Sequence, residues 1–392
     1  GLVGRVAMRN NGIVANASAT GNVTTTGQRV GGLIGYHRTG TILRNVTATG
    51  DVTTDGQYVG GLVGDTEASI TDASATGEVT TSTTGEYVGG LVGQLQAQHG
   101  DEEVRNVTAS GNVSSGGQYV GGLIGDVRDD GTHYVAMSEA HATGNVNTTY
   151  ADESGFNNAY VGGLVGHFKG SEFTDISATG DVTSTTGNEV GGLVGRVAMR
   201  NNGIVANASA TGNVTTTGQQ VGGLIGYHQN GDGVETSYAR GDVSTDGNYA
   251  GGLIGDTNDG SITDSYARGD VNSSGDSVGG LVGEANGDVT RAYASGRVEG
   301  DGTDIGGLVG TNNGGTLSDA YWDRGATNQT AATGSGTPPG ATGYGTVGDT
   351  RALEMQGRAP TTFMKGLNYT SPWKLTSTYP VFQRESNTTE PS

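Results

Sequence analysis

Apolar and small residues recur along most of the chain in one short pattern, Val-Gly-Gly-Leu-Val-Gly, in which isoleucine or alanine replaces some members. The motif is first complete at residues 30–35 and last at residues 305–310, and a partial copy opens the chain, which makes eleven copies. A fixed period is the signature of a repeat architecture. Its leucines are Leu2, Leu33, Leu62, Leu91, Leu123, Leu164, Leu193, Leu224, Leu253, Leu281 and Leu308.

A second motif, Ala-x-Gly-x-Val, lies between successive copies of the first, as at residues 48–52. Its first, third and fifth positions are small or apolar and the others are polar, which predicts a strand. The first motif alternates too, with a bulky apolar residue or a glycine at each position, and is predicted to be another strand. Glycines inside a strand indicate close approach of another backbone or a bend. No stretch has sustained helical periodicity, so few helices are expected.

A repeat of about 29 residues cannot bury its own apolar face, but stacked copies can. The repeats therefore predict a right-handed parallel β-helix, or β-solenoid, with one repeat per coil. With strands ~4.8 Å apart, eleven coils give a rod of about 50 Å. A β-propeller is less favoured, because its blades need about 40 residues and four strands each.

Composition narrows the classes of function. Glycine supplies 75 of the 392 residues, only 32% are hydrophobic, and cysteine is absent, so stability is expected to come from repetition rather than disulfides. The formal charge is −20 and only three lysines occur, which argues against a nucleic-acid partner. An acidic, lysine-poor surface stays soluble in strong salt and indicates a halophilic source, although an ordinary acidic secreted protein would look similar. No apolar run is long enough to span a membrane.

The Gly-Gly-Leu-Val-Gly core, the spacing near 29 residues and the Ala-Thr-Gly-x-Val motif resemble the GLUG-motif repeats of secreted and cell-surface proteins. The resemblance covers about residues 1–323. It implies an adhesin-like or peptidase-associated surface protein in which the repeats form the stalk or passenger part, and it names no ligand. Because residue 1 falls inside a repeat, the natural protein is expected to begin upstream.

One internal comparison bears on mechanism. Residues 1–37 match residues 192–228 at every position except one, where Arg29 stands against Gln220. Tolerance of such a block duplication favours reach or multivalent contact over one unique site. The longest insertions lie at residues 94–104, 126–139 and 147–160, and loops carry recognition more often than scaffold does. The binding-loop residues predicted are His99, Asp101, Glu102, Asp129, Asp130, His133, Tyr134 and Phe156.

No recognisable catalytic, metal or cofactor motif is present. The histidines are interpreted as loop imidazoles without a special role, and the His99, His133 and His141 region, although rich in acids, has no diagnostic ligand spacing. Acids at repeated outward positions, as in Asp242, predict a solvated face rather than the paired carboxylates of a glycosidase. We therefore expect no enzyme activity and no cofactor, with loosely held Ca²⁺ on the acidic rows as the alternative.

Glycosylation sequons are frequent, and those in the polar position of the second motif are expected to point outward. The candidate acceptors are Asn16, Asn22, Asn45, Asn106, Asn112, Asn147, Asn207, Asn213 and Asn272, with Asn328, Asn368 and Asn387 beyond the main array.

Three regions follow from these patterns. Residues 1–323 are predicted to form the solenoid, residues 324–348 a Gly/Thr/Pro-rich linker, and residues 349–392 a segment that caps the last coil or serves for attachment. The favoured function is a non-enzymatic extracellular or cell-surface stalk, adhesin or fibre segment that contacts a cell-surface or glycan ligand. The alternatives are a self-assembling filament or viral fibre, and a polysaccharide-acting β-helix enzyme.

Overall fold

Each repeat forms one coil of a parallel β-solenoid in which four short strands follow one another. The computed structural model describes residues 2–7, 12–38, 41–82, 85–98, 100–150, 159–200, 202–336, 340–349 and 352–385. Equivalent strands of successive coils pair in parallel and form four sheets, named A to D in the order in which the chain visits them. The predicted all-β solenoid with coils of about 29 residues is confirmed.

Sheets A and B contain the longer strands of each coil. The strands of sheet A are Val3–Ala7, Ile34–Arg38, Val63–Thr66, Val92–Ala97, Ile124–Asp129, Val165–Gly170, Val194–Met199, Ile225–Gln229, Ile254–Thr257, Val282–Ala285, Val309–Asn312 and Thr333–Gly336. The strands of sheet B are Gly12–Ala19, Thr41–Ala48, Ser69–Ala75, Glu102–Ala109, Val135–Ala142, Glu172–Ala178, Ile204–Ala210, Gly233–Glu235, Tyr238–Ala239, Ser261–Thr263, Tyr266–Ala267, Val289–Ala294, Leu317–Asp323 and Thr342–Tyr344.

Sheets C and D contain short strands of two or three residues. The strands of sheet C are Val23–Thr25, Val52–Thr54, Val79–Thr81, Val113–Ser115, Val146–Thr148, Val182–Ser184, Val214–Thr215, Val243–Thr245, Val271–Ser273 and Val298–Gly300. The strands of sheet D are Arg29–Gly31, Tyr58–Gly60, Tyr87–Gly89, Tyr119–Gly121, Tyr160–Gly162, Glu189–Gly191, Val221–Gly222, Ala250–Gly251, Val278–Gly279 and Ile305–Gly306. Outside the four sheets lie the α-helices Arg324–Thr327 and Pro360–Phe363, the 3₁₀ helix Leu353–Met355 and an antiparallel pair, Trp373–Lys374 with Val381–Phe382.

The first motif forms a corner of the coil rather than one straight strand. A strand of sheet D ends at Gly31 and a strand of sheet A begins at Ile34, so that Leu33 and Ile34 both lie in the same core. The alternation predicted for this motif is therefore wrong, because the chain turns between the two sheets. The predicted crowding is present: a Cβ atom on Gly31 would lie 2.2 Å from the carbonyl oxygen of Ile34.

The second motif forms the opposite corner of the coil. Here the coil narrows between its two separate cores, and this narrow part is called the waist. Ala48 ends a strand of sheet B and belongs to the core between sheets A and B, whereas Val52 begins sheet C and belongs to a separate valine core. A Cβ atom on Gly32 would lie 3.2 Å from the Cβ of Ala48. Since the coil is this thin between its two cores, only the smallest residues fit on either side of the waist.

A row of exposed Asn and Asp side chains at the fourth position of the second motif ties each coil to the next. The Oδ1 atom of Asp242, for example, accepts the backbone N–H of Asp270 at 2.8 Å. These side chains therefore do more than form the solvated face predicted for them, since they also satisfy backbone donors at a corner. The row consists of Asn22, Asp51, Asn112, Asn145, Asp181, Asn213, Asp242 and Asp270.

Residues 324–348 were predicted to be a linker, but the described part of this range, residues 324–336 and 340–348, continues the stack. Asp323 caps the helix Arg324–Thr327, and the strand Thr333–Gly336 then pairs in parallel with Val309–Asn312. Thr342–Tyr344 pairs with Leu317–Asp323 in the same way. Composition failed to indicate these rungs because pairing with the coil below uses backbone groups and needs few apolar side chains.

The C-terminal segment lies along the side of sheet B, which differs from the predicted cap over the last coil. One outward position on sheet B is Ser209 in one coil and a tyrosine in each of the following coils. Trp373 is fully buried against two of these rings, with centroids 5.9 Å from Tyr266 and 5.8 Å from Tyr293. Its Nε1 donates to Asp264 Oδ1 at 2.9 Å. None of the helices in the described part of the chain is long and apolar enough to cross a membrane.

Candidate functional site

The most elaborate outer surface of the solenoid is a row of tyrosines on sheet D. Tyr58, Tyr87, Tyr119 and Tyr160 pair in register through their backbones, and each neighbouring pair of rings is stacked with centroids 4.9 Å apart. This separation matches the spacing of adjacent strands. In-register parallel pairing therefore places like side chains in a ladder whose rings lie face to face.

A buried carboxylate, Asp126, organises the sheet A side of this row. Its Oδ1 accepts from His167 Nδ1 at 2.8 Å and its Oδ2 accepts from Gln94 Nε2 at 2.8 Å. The guanidinium of Arg128 forms an ion pair with Oδ2 and lies 5.2 Å from the centroid of Tyr87. Three side chains from three successive coils thus hold Asp126 in place.

Further ion pairs flank the row at both ends. Arg29 Nε lies 2.7 Å from Asp65 Oδ2 before Tyr58, and Arg196 Nη1 lies 3.1 Å from Glu189 Oε1 after Tyr160. The row of tyrosines is therefore bordered by an arginine–carboxylate pair on each side.

Burial shifts the ionisation of this face. It raises the pKa of the Tyr119 hydroxyl to about 12 and that of Glu189 to about 7, the latter opposed by Arg196. Burial also raises the pKa of Asp65, opposed by the hydrogen bond and charge of Arg29. The tyrosines therefore remain neutral donors at ordinary pH, and burial of the Glu189 carboxyl favours its neutral form against the opposing charge of Arg196.

The predicted binding loop at residues 126–139 is mostly strand, and its exposed tip folds on itself. Asp130 Oδ1 accepts the backbone N–H of His133 at 2.7 Å, and its hydrogen bonds to His133 and Thr132 lower the Asp130 pKa. Asp129 is buried and bonded to Lys169 rather than exposed for a ligand. The tip meets the corner before it at Tyr134, whose N–H donates to Asp101 Oδ1 at 2.8 Å and whose carbonyl oxygen accepts the N–H of Glu102 at 2.9 Å.

Among the remaining predicted loop residues, Glu102 lies beside Asp101 and Tyr134. Glu102 accepts from Ser69 Oγ at 2.7 Å, and burial raises its pKa to about 7. His99 and Phe156 lie outside the described residues, so their predicted role stays a prediction. The structure thus brings Asp101, Glu102 and Tyr134 to one corner and leaves Asp129 in a separate buried network.

The histidines are not all loop residues, which corrects the prediction. His37 and His228 point into the coil interior, are almost fully buried, and have pKa values lowered to about 4 by burial. They occupy the inward column that holds Phe168 and Val197 in other coils. The His141 side chain lies instead on the outer face of sheet B, with Nδ1 2.8 Å from Ser177 Oγ. Among the described residues, no group of three or more His, Asp or Glu side chains is arranged to hold a metal.

The sequon asparagines differ in how free their side-chain amides are. The Asn45 amide donates to Asn16 Oδ1 at 2.7 Å, and the Asn106 amide donates to Asp72 Oδ1 at 2.6 Å. Asn147 and Asn272 are exposed on sheet C, and neither side chain makes a hydrogen bond to another described residue. Asn22, Asn112 and Asn213 belong to the row that ties coils together. At Asn207 it is the backbone carbonyl oxygen that accepts, from Arg384.

Sequence reasoning missed the tyrosine row, although a signal was available. Tyrosine precedes Val-Gly-Gly in four consecutive copies of the first motif, from Tyr58 to Tyr160. Once a parallel stack is accepted, a residue type that recurs at one repeat position predicts a ladder on one face. The insertions at the variable corners instead predicted recognition there.

Comparison with known proteins supports the repeat assignment. The GLUG motif matches residues 26–53, 55–80 and 84–114, which confirms the predicted GLUG repeats. Over 390 residues, 99% of its length, the chain is 93% identical to halomucin of Haloquadratum walsbyi (strain DSM 16790 / HBSQ001). The chain spans about 4% of the length of halomucin. No solved structure matches it.

Proposed function

We propose that this chain, so similar to one part of a much longer haloarchaeal surface-type repeat protein, is a rigid extracellular spacer without catalytic activity. The observation that carries the proposal is the unbroken register: equivalent strands pair in parallel from Val3–Ala7 to Thr333–Gly336 along sheet A. Twelve rungs ~4.8 Å apart give a rod of about 50 Å. Reach scales with the number of coils in such an architecture, because each repeat contacts only its neighbours.

The favoured role within this proposal is multivalent adhesion through the exposed corners. Its support is the corner formed by Asp101, Glu102 and Tyr134, where polar groups stand at the surface of a regular scaffold. A filament formed end to end is the alternative, because Thr333–Gly336 and Thr342–Tyr344 extend the stack and, among the described residues, no further strand pairs with their outer edges. A polysaccharide-cleaving enzyme has less support, because the acids of the tyrosine face are held by cations.

The rod is tested by small-angle scattering and electron microscopy of the purified chain in concentrated salt. We expect a particle of constant length, about 50 Å for the coils, at every protein concentration. Particles that lengthen with concentration would favour the filament instead.

Adhesion is tested by replacing only the loop tip at residues 130–134 with a two-glycine turn, which leaves the flanking strands intact. Binding to cells or immobilised glycans should fall, whereas the same exchange at an exposed turn on another face should have no effect. Equal binding by both variants would refute adhesion through this corner and leave the spacer role untouched. Release of reducing sugar from a polysaccharide by the unmodified chain would contradict the non-enzymatic role.

A further inference from the structure

A depression of about 480 Å³ opens on sheet A beside the last tyrosine of the row. Lys169, Ala198 and Gln229 occupy one outward position in three successive coils. Because the middle member is alanine, a gap remains between the two long side chains. Tyr160 and Arg200 also line the depression. The volume falls within the ~300–1,000 Å³ typical of small-molecule sites.

The depression concentrates positive charge in a chain that has little. The chain carries 20 Lys and Arg against 40 Asp and Glu, yet Lys169, Arg196 and Arg200 all line this one depression. Two acids oppose them. Glu189 pairs with Arg196, and Asp129 pairs with both Lys169 and Arg200. The residues that line the depression therefore include three cations and no carboxylate.

Some of these cationic donors remain open. Lys169 Nζ lies 2.8 Å from Asp129 Oδ1 and 3.5 Å from the Asp129 carbonyl oxygen, and an ammonium group has three donors. Arg200 Nε lies 3.4 Å from Asp129 Oδ2, an ion pair without hydrogen-bond geometry. The Arg200 terminal nitrogens make no hydrogen bond to another described residue, and 43% of this side chain is exposed. An incoming anion would therefore meet unused donors.

We propose that this depression binds an anionic sugar, with the carboxylate or sulfate group held by Lys169 and Arg200 and the sugar hydroxyls by the neighbouring neutral groups. A guanidinium matches the planar geometry of a carboxylate and forms paired hydrogen bonds with it. The tyrosine hydroxyls and the amides of Gln229 and Asn230 supply donors and acceptors for hydroxyl groups. The site adjoins the loop at residues 126–139, because Arg200 and Asn230 also line a neighbouring depression that includes Gly131 and Tyr134. It does not depend on the spacer role.

The test is calorimetric titration of the purified chain in concentrated salt with trigalacturonate and, as the neutral match, maltotriose. In concentrated salt the screening length falls to ~3 Å. The repulsion between an anionic sugar and the acidic surface as a whole is then screened, whereas charged groups in direct contact still attract each other. We expect trigalacturonate to bind at least about tenfold more tightly than maltotriose. Galacturonate monomer and sulfated galactose as further probes distinguish the sources of the anion, and measurable binding of either supports the site.

Two variants locate the binding. Ala198→Trp fills the gap without changing charge, and the double change Lys169→Met with Asp129→Asn removes one cation together with its buried partner. Each should weaken trigalacturonate binding at least about tenfold. The matched control is Arg297→Ala, which removes a 56%-exposed cation beside sheet C and should leave affinity unchanged.

Four results would overturn the proposal. Two concern the ligands: maltotriose binds as tightly as trigalacturonate, or inorganic phosphate binds as tightly as either anionic sugar. The other two concern the variants: folded Ala198→Trp binds trigalacturonate without loss, or Arg297→Ala loses as much trigalacturonate binding as the site variants do. Circular dichroism of each variant shows whether the solenoid is intact, and the double variant provides the answer if Ala198→Trp fails to fold.

Discussion

Arg29 and Gln220 occupy the same place in the duplicated blocks, and they provide a natural test of how the outer face of sheets A and D is stabilised. Arg29 Nε donates to Asp65 Oδ2 at 2.7 Å, and Gln220 Nε2 donates to Asp256 Oδ2 at the same distance. The arginine also lies 4.5 Å and 5.1 Å from the centroids of two tyrosine rings. Arg29→Gln therefore converts one block into the other at its single point of difference.

The magnitude follows from the contacts that are lost. The Arg29 side chain is 45% exposed, so its ion pair contributes about 0.5 kcal/mol after solvent screening. Each of the two cation–π contacts contributes about 0.5 kcal/mol at such a site. The total of about 1.5 kcal/mol corresponds to roughly a tenfold increase in local opening.

Hydrogen exchange measured by mass spectrometry resolves this change inside one molecule. In Arg29→Gln, exchange across residues 29–66 should rise about tenfold, while residues 220–257 serve as the internal reference. The reciprocal change, Gln220→Arg, should slow exchange across residues 220–257. Unchanged exchange in both variants would refute the assignment of stability to these contacts.

The same pair has a pH dependence of defined sign. Burial raises the pKa of Asp256 to about 6, and it raises the pKa of Asp65 against the opposing effect of Arg29. A carboxyl whose pKa rises on folding binds more protons in the folded state, so its contribution to stability improves as pH falls. The cost of Arg29→Gln should thus be largest above pH 6 and shrink towards pH 4. A cost that is constant from pH 8 to pH 4 would contradict this account.

Three further changes test other parts of the scaffold. Glu78→Asp should raise the free energy of unfolding by about 0.5–1 kcal/mol and so raise the denaturation midpoint, because the shorter side chain can accept the backbone N–H of the next coil. An unchanged midpoint would contradict the stabilising role of the Asn/Asp row. Gly61→Ala should cost about 3 kcal/mol, since its Cβ would lie 2.2 Å from a carbonyl oxygen, whereas Gly21→Ala, with nothing within 4 Å, should cost far less in the same melting experiment. Trp373→Ala should cost about 3–5 kcal/mol locally and release the C-terminal segment to protease, unlike Phe363→Ala at a 44%-exposed position; equal cleavage of both would refute docking through Trp373.

The sequence predicted the architecture well because one physical constraint dominates it. A short repeat with small residues at fixed positions can be stable only by stacking, and the period sets the size of the coil. The details inside a repeat were harder to predict. Leu33 and Ile34 are adjacent and both buried, because a corner separates them, and alternation alone cannot distinguish a corner from a strand.

The site was harder to predict because its parts come from different coils. Asp126 and His167 are 41 residues apart and meet only through parallel pairing. The docking of Trp373 against Tyr266 depends likewise on a segment folding back along the array. Composition indicated that the apolar C-terminal residues needed a partner, but no local pattern identified the side of sheet B as that partner.

The row of Asn and Asp side chains has a consequence for how such a chain can adapt to its surroundings. The bond to the next coil needs only an Oδ1 acceptor, which both residues possess, as Asn213 and Asp242 show in consecutive coils. Exchange between them changes the net charge by one and keeps the bond. Surface charge can consequently drift one coil at a time under selection by salinity, while the scaffold that displays it stays constant.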